Sequence, residues 1–271
     1  MEELNIGKEN SKSLREIFDN EKIAIHKWDN YFEIYESYFR KFRQKNIRFL
    51  EIGVQYGGSL KMWSKYFLKP KIFGIDINPD CKKLEEENID IQIGSQNDLI
   101  FLKKYADYVD NLDIIIDDGG HTMDQQLNTF KILFPILNEG GIYIVEDIES
   151  SYQNMYGGGP NRRGTFVEFS KKIIDYINAN HSDFSSLKPN WYSTNIEYIH
   201  YYNNVIVFKK QKIDKFPIIV SNVGELTIDK NKRSKVPKLK LFISSIITII
   251  NKILGYLKIK PLYIGSTSQR L

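Results

Sequence analysis

The sequence predicts an α/β chain, a mostly parallel sheet with helices on both faces that is finished by an antiparallel hairpin. Between residues 47 and 147, short apolar or β-branched runs alternate with amphipathic stretches, as in parallel strands joined by crossover helices. Acids or small polar residues follow run after run, where an open parallel sheet keeps its ligand crevice. The last two runs, 196–202 and 205–210, are separated only by Asn203-Asn204, a two-residue hairpin turn.

At 271 residues the chain can bury a large core, with extensions at both ends of one domain. The single cysteine, Cys81, excludes an internal disulfide or a cysteine-built metal site and points to a reducing compartment. Residues 1–12 are polar and charged, without the apolar stretch of a signal peptide, so a cytoplasmic location is expected. Charge is uneven. From Lys230 onward there are ten basic residues and no acids, whereas residues 1–229 hold 28 basic and 34 acidic groups, a net of −6. A mildly acidic body argues against a nucleic-acid groove.

Residues 11–43 read as helical, with Trp28, Tyr31, Phe32, Tyr35, Tyr38 and Phe39 spaced to form one stripe that packs on the sheet. His26 and Lys27 stand just ahead of it, at the expected mouth of a ligand site. The first strand, 47–52, runs into Gly53-Val54-Gln55-Tyr56-Gly57-Gly58-Ser59 and then a helical pattern of Leu60, Met62, Trp63, Tyr66 and Phe67. Such a strand-to-helix turn is a ligand cradle, because glycines admit close backbone approach and the helix start presents unpaired N–H groups. A dinucleotide site reads G-x-G-x-x-G. This one reads E-x-G-x-x-x-G, which puts Glu51 where a pyrophosphate would lie and suits a cationic ligand such as S-adenosylmethionine. Glu51, Gly53, Gly57 and Ser59 are the expected contacts.

The second strand, 71–76, ends in Asp76, 25 residues beyond Glu51, the place for a carboxylate that accepts ribose hydroxyls. Alternatively Asp76 caps the turn that follows. A third strand, 89–93, leads to Ser95 and Gln96, which can meet an adenine edge, and to Asp98 as N-cap of a helix over 99–108. The fourth, 112–117, ends in Asp117-Asp118-Gly119-Gly120-His121, with Asp117 assigned to the cofactor side. A helix over 124–137 is closed by Asn138-Glu139-Gly140-Gly141, and a fifth strand, 142–147, ends in Glu146-Asp147.

Asp118, Glu146 and Asp147 would repel one another by several kcal/mol at close range unless a cation lay between them. All-oxygen ligation favours Mg²⁺ or a similar divalent ion. The other reading is that one or two of these acids cap helices and face water. His121, three residues past Asp118, can take a proton from a hydroxyl acidified by that ion.

Residues 151–164 have the makeup of a lid, with Tyr152 and Tyr156 to stack on a sugar or ring and Arg162 to meet an anion, or of an ordinary surface loop. A helix follows, then the hairpin. The most apolar run, 241–257, has 17 residues, includes a lysine and carries lysines on both flanks; about 20 are needed to span a bilayer. Two readings stand: a basic amphipathic helix over 236–260 that lies on an anionic membrane, or a subunit-packing helix of a homo-oligomer.

With these residues assembled, 49–156 resembles a class I S-adenosylmethionine-dependent methyltransferase. More narrowly it resembles the metal-dependent macrolide-sugar O-methyltransferases (mycinamicin and macrocin type) and the cephalosporin-hydroxylase-like family. The matching text is Leu50-Glu51-Ile52-Gly53-Val54, Gly57-Gly58-Ser59-Leu60, Met62-Trp63, Gly74-Ile75-Asp76, Ile116 to His121, Glu146-Asp147 and Ser151-Tyr152. The resemblance implies a Rossmann-like seven-stranded sheet, metal ligation by Asp118, Glu146 and Asp147, and His121 as base. The chain is read as an N-terminal helical segment packing on the sheet (1–45), a methyltransferase core (46–215) and a basic, apolar C-terminal extension (216–271). The expected activity is O-methylation of a sugar hydroxyl on a nucleotide sugar, a surface-polysaccharide sugar or a glycosylated natural product. Rivals are a metal-dependent hydroxylase, for which a two-His-one-carboxylate set is missing, and a non-catalytic membrane-associated scaffold of the same fold.

Overall fold

A computed structural model describes residues 12–213 and 238–262. The expected boundary at residues 215/216 and the first lysines of the basic tail lie outside the described residues. The described chain separates into two compact units, one holding 12–182 and 187–213, the other 183–186 and 238–262.

The first unit is built on strands β1 (Asn46–Ile52), β2 (Lys69–Asp76), β3 (Ile89–Ile93), β4 (Leu112–Asp117), β5 (Leu137–Val145), β6 (Ile196–Tyr202) and β7 (Val205–Lys210). They form one seven-stranded sheet in the order β3-β2-β1-β4-β5-β7-β6. Neighbours run parallel except β7, which is antiparallel to β5 and β6. The chain enters at β1, steps outward to β3, returns to β4 beside β1 and winds the other way. The β1/β4 boundary is therefore the switch point, where loops leave the carboxyl ends in opposite directions and open a crevice.

Side chains on a strand alternate between faces, and each face carries its own core. Phe49, Ile114, Ile116, Ile142 and Ile144 pack with the aromatics of α1 (Leu14–Asp19), α2 (Tyr31–Phe39) and α3 (Gly58–Tyr66). Leu50, Ile115, Tyr143 and Phe208 pack with α4 (Leu99–Val109), α5 (Met123–Leu133) and α6 (Phe166–Ile177) on the other face. α7 (Trp191–Asn195) leads into β6. Asp98 caps α4 as expected, accepting from the Ile100 and Phe101 amides.

Two expected helices differ. The helix over 11–43 is broken into α1 and α2, with 20–30 non-helical between them. Asn20 ends α1, donating from Nδ2 to the Glu16 carbonyl at 2.7 Å, and Asp29-Asn30 precede α2, residue types that favour turns over helix interiors. Five of the six stripe aromatics are buried, but Trp28 falls in the break and is exposed. The break makes a strap that crosses the start of α3. A Cβ on Gly58 would lie 2.5 Å from the Ala24 carbonyl oxygen, so only glycine lets the strap pass. The helix over 124–137 stops at Leu133, because Pro135 lacks the N–H and crowds the carbonyl four residues back. β5 then begins at Leu137, several residues earlier than the glycines suggested.

The second unit contains α8 (Lys238–Tyr256). Among the described residues no helix is long and apolar enough to cross a membrane.

Candidate active site

The crevice opens where the loops after β1 and β4 touch. Gly53 sits at φ +96°, and a Cβ there would lie 2.1 Å from the Asp118 carbonyl oxygen. Beyond it lies a cavity of about 810 Å³, within the size range of cofactor sites. Gly53, Ser59, Asp76, Ser95 and Gln96 line it on the side of β1 to β3. Asp118, His121, Asp147 and His26 line it on the other. His26 is exposed at the rim, its ring 6.3 Å from that of Tyr56.

Beneath the cavity lies a cluster of buried charge. Glu51 and Glu146 fall at positions of the same parity as Phe49 and Ile144, so both face α2 and α3. Lys27, from the strap, inserts its ammonium between them: Nζ lies 3.2 Å from Glu51 Oε1, 2.9 Å from Glu146 Oε2 and 2.6 Å from Asp118 Oδ2. Its side chain is 2% exposed. Trp63 Nε1 donates to Glu51 Oε2 at 3.1 Å, and the Tyr35 hydroxyl donates to Glu146 Oε1. Burial alone would push the Lys27 pKa down, but Asp118, Glu146 and Glu51 outweigh it and hold the ammonium charged well above the usual lysine value. One ammonium facing three carboxylates leaves negative charge in excess, and burial raises the pKa of Glu51 and Glu146.

A second group faces the cavity. His121 and Asp147 adopt left-handed backbone, φ +57° and +51°, which His and Asp tolerate better than most residues. His121 Nε2 lies 3.8 Å from Asp118 Oδ1 and 3.8 Å from Asp147 Oδ2. One ligand atom each from Asp118, His121 and Asp147 falls within 4.8 Å of the others. Asp147 is oriented by the Tyr31 hydroxyl, which donates to Oδ1 at 2.7 Å, and by Asn204 Nδ2 at 3.3 Å from the hairpin turn. His121 Nδ1 is buried with no hydrogen-bond partner among the described residues. The donor set suits a hard divalent cation, and four carboxylates against one lysine leave charge for it to balance. Glu146, expected beside Asp118 and Asp147, is turned to Lys27 and Tyr35 and stands outside this group.

The remaining expected residues fall in several places. Asp76 lines the cavity and also ties its turns, accepting from the Val54 and Gln55 amides at 2.9 and 3.0 Å and from Asn78 at 2.8 Å. Ser59 lines the cavity close to Glu51, where its hydroxyl favours the charged carboxylate. Gly57, at φ +79°, caps α3 outside the cavity wall. Asp117 shares the parity of Ile115 and is buried on the opposite face, accepting from Gln96 Nε2 at 2.9 Å, Tyr143 OH at 3.2 Å and Thr129 Oγ1; burial raises its pKa to about 6. Gln96 Oε1 accepts from the Gly120 amide at 2.7 Å, fixing the loop that carries His121. The 151–164 segment is tied by two short 3₁₀ turns, Ile148–Tyr152 and Asn154–Tyr156, and by Gly159 N to Ser151 O at 2.8 Å. Tyr156 approaches His121, ring centroids 6.3 Å apart, while Tyr152 and Arg162 are exposed outside the cavity wall.

No protein-family model matches the chain. It is 33% identical over 196 residues to 8-demethyl-8-(2-methoxy-alpha-L-rhamnosyl)-tetracenomycin-C 3'-O-methyltransferase of Streptomyces olivaceus, across 68% of this chain and 50% of that protein. It is 34% identical over 194 residues to mycinamicin VI 2''-O-methyltransferase of Micromonospora griseorubida, across 67% of this chain and 48% of that protein. Among solved structures, the MycE methyltransferase of the mycinamycin biosynthetic pathway, in complex with Mg, SAH and mycinamycin VI, matches with a TM-score of 0.68 at 31% identity, over 79% of this chain and 57% of that one. By fold and sequence the chain belongs to the class I methyltransferases. It spans about half the length of the curated relatives it matches.

Within this class I methyltransferase crevice, the polar partners of the acids are the residues the sequence shows least: its pattern places Lys27 only at the rim and Tyr31 and Tyr35 only in apolar packing. The available signal was that positions 31 and 35, one turn apart on a buried stripe, are tyrosine whereas 32 and 39 are phenylalanine. A buried phenol needs a hydrogen-bond partner.

Proposed function

We propose that the protein is an S-adenosylmethionine- and divalent-metal-dependent O-methyltransferase acting on a sugar hydroxyl. The carrying observation is the Asp118, His121 and Asp147 group at the edge of the Gly53 cavity. The named activities of the relatives, 3'- and 2''-O-methylation of glycosylated natural products, support the substrate class. A nucleotide sugar or a surface-polysaccharide sugar offers the same chemistry.

In this reading the backbone from Gly53 to Ser59 receives the methionine end of the cofactor, Asp76 the ribose, and Ser95 and Gln96 the adenine. Asp118 and Asp147 hold the ion, with Glu146 close behind them. When bound, the cofactor supplies an electrophilic methyl group and the ion acidifies an acceptor hydroxyl. His121 Nε2 accepts that hydroxyl's proton, and the walls hold acceptor and donor collinear, which is most of what methyl transfer requires. Tyr156 beside His121 and His26 at the rim would meet the acceptor, whereas Tyr152 and Arg162 lie outside the cavity wall.

Calorimetry with S-adenosylmethionine, followed by a methyl-transfer screen over nucleotide sugars and rhamnosylated aglycones with Mg²⁺ or chelator, tests the proposal. His121→Ala is expected to lower turnover about 10²-fold or more with cofactor affinity nearly unchanged. Normal turnover in that variant removes the histidine from the mechanism, and failure to bind the cofactor removes the whole reading.

A further inference from the structure

α8 offers its apolar side to solvent. At 3.6 residues per turn, Phe242, Ile246, Ile249, Ile250 and Ile253 fall in an arc of about 100°, while Tyr256 at the end of the helix packs its ring against Phe184 at 5.3 Å. Phe242 is 64% exposed, Ile249 62% and Ile253 56%. Ser244, Thr248 and Asn251 occupy the opposite side. The helix ends in a built reversal: Lys258 has left-handed φ (+55°), with Ile259 N donating to Leu254 O at 2.9 Å and Lys258 N to Gly255 O at 3.1 Å. Asn251 then clamps the returning chain through Leu262 O and N at 2.8 and 2.7 Å. The reversal holds the backbone that carries Lys258 and Lys260 at the helix end, and both lysines and Lys252 are exposed.

Charge selects the occupant of this face. From Lys230 to the end the sequence has ten cations and no anion. A second copy of the helix would bring like charge against like charge. An anionic lipid surface answers both features at once, taking up the apolar arc in the acyl boundary and the lysines among the headgroups. We propose that α8 is an interfacial helix that seats the protein on an anionic membrane without crossing it. This goes beyond the methyl-transfer reading and does not depend on it.

The test is flotation of the full chain with vesicles of phosphatidylcholine alone and of phosphatidylcholine with phosphatidylglycerol. The wild type is expected to float with the anionic vesicles, at least about tenfold better than with neutral ones. Replacing Lys252, Lys258 and Lys260 by Gln should weaken partition by about fivefold per lysine. The double variant I249E/I253E, at exposed positions, should abolish flotation while S-adenosylmethionine calorimetry and circular dichroism stay as in the wild type. Equal partition onto both vesicle types, or none onto either, overturns the proposal. So does a dimer in gel filtration without lipid that I249E/I253E splits, which would make the face a subunit contact.

Discussion

Among the described residues, Lys27 supplies the one ammonium against Glu51, Glu146 and Asp118, so its removal leaves buried carboxylates facing one another. Taking one partner from a buried ion cluster costs about 3–5 kcal/mol. At about 2–4 °C per kcal/mol for a body of this size, Lys27→Met is expected to lower Tm by about 6 °C or more in scanning calorimetry. An unchanged Tm would show that the strap does not hold the acids. Cys81 makes a second residue-scale prediction. It is buried beside Asp76, and burial and that carboxylate raise its thiol pKa to about 11. The thiolate is the reactive form, so at pH 8 iodoacetamide should modify the folded protein about 10²-fold more slowly than the unfolded chain. The rate should climb about tenfold per pH unit until that pKa is reached. Fast alkylation at pH 8 would refute the enclosed thiol.

At the scale of elements, α2 is the part whose work was hidden. Tyr31 and Tyr35, one turn apart, hold Asp147 and Glu146, two acids adjacent in sequence whose side chains leave the chain in different directions. Partners behind metal ligands commonly set affinity by 10- to 100-fold. Tyr31→Phe, which among the described residues leaves the Asp147 carboxylate the Asn204 amide at 3.3 Å as its hydrogen-bond donor, is expected to weaken Mg²⁺ binding about tenfold in calorimetry while the fold persists. Equal affinity would argue that Asp147 does not bear on the ion. The strands were legible because β-branched runs such as Ile114-Ile115-Ile116 permit little else, and β3, β6 and β7 begin and end where those runs do. Asp117 and Asp118 show the next level. Alternation along β4 already puts Asp117 on the face of Ile115, away from the cavity, but a reading by strand tips treats both acids alike. Lys27 could not be read at all, since it meets Asp118 and Glu146 across 91 and 119 residues, and no local period records such a pairing.

At the scale of the molecule, the seven strands, both cores and the cavity wall found among the described residues lie within residues 12–213. The second unit adds a helix with an exposed apolar arc and no cavity residue. Stability follows apolar area removed from water, and the sheet with its two helical layers contains the large fully buried side chains, from Trp63 and Tyr35 to Phe130 and Phe208. Among the described residues, cutting the chain after residue 213 therefore removes solvent-facing apolar surface rather than core. The shortened protein is expected to keep its Tm within about 2 °C, a change of less than about 1 kcal/mol. It should bind S-adenosylmethionine with unchanged affinity and no longer float with the anionic vesicles that carry the full chain. If instead truncation unfolds the first unit or empties the cavity of its ligand, then the basic segment completes the body, and the division into two units is wrong at the level of energetics.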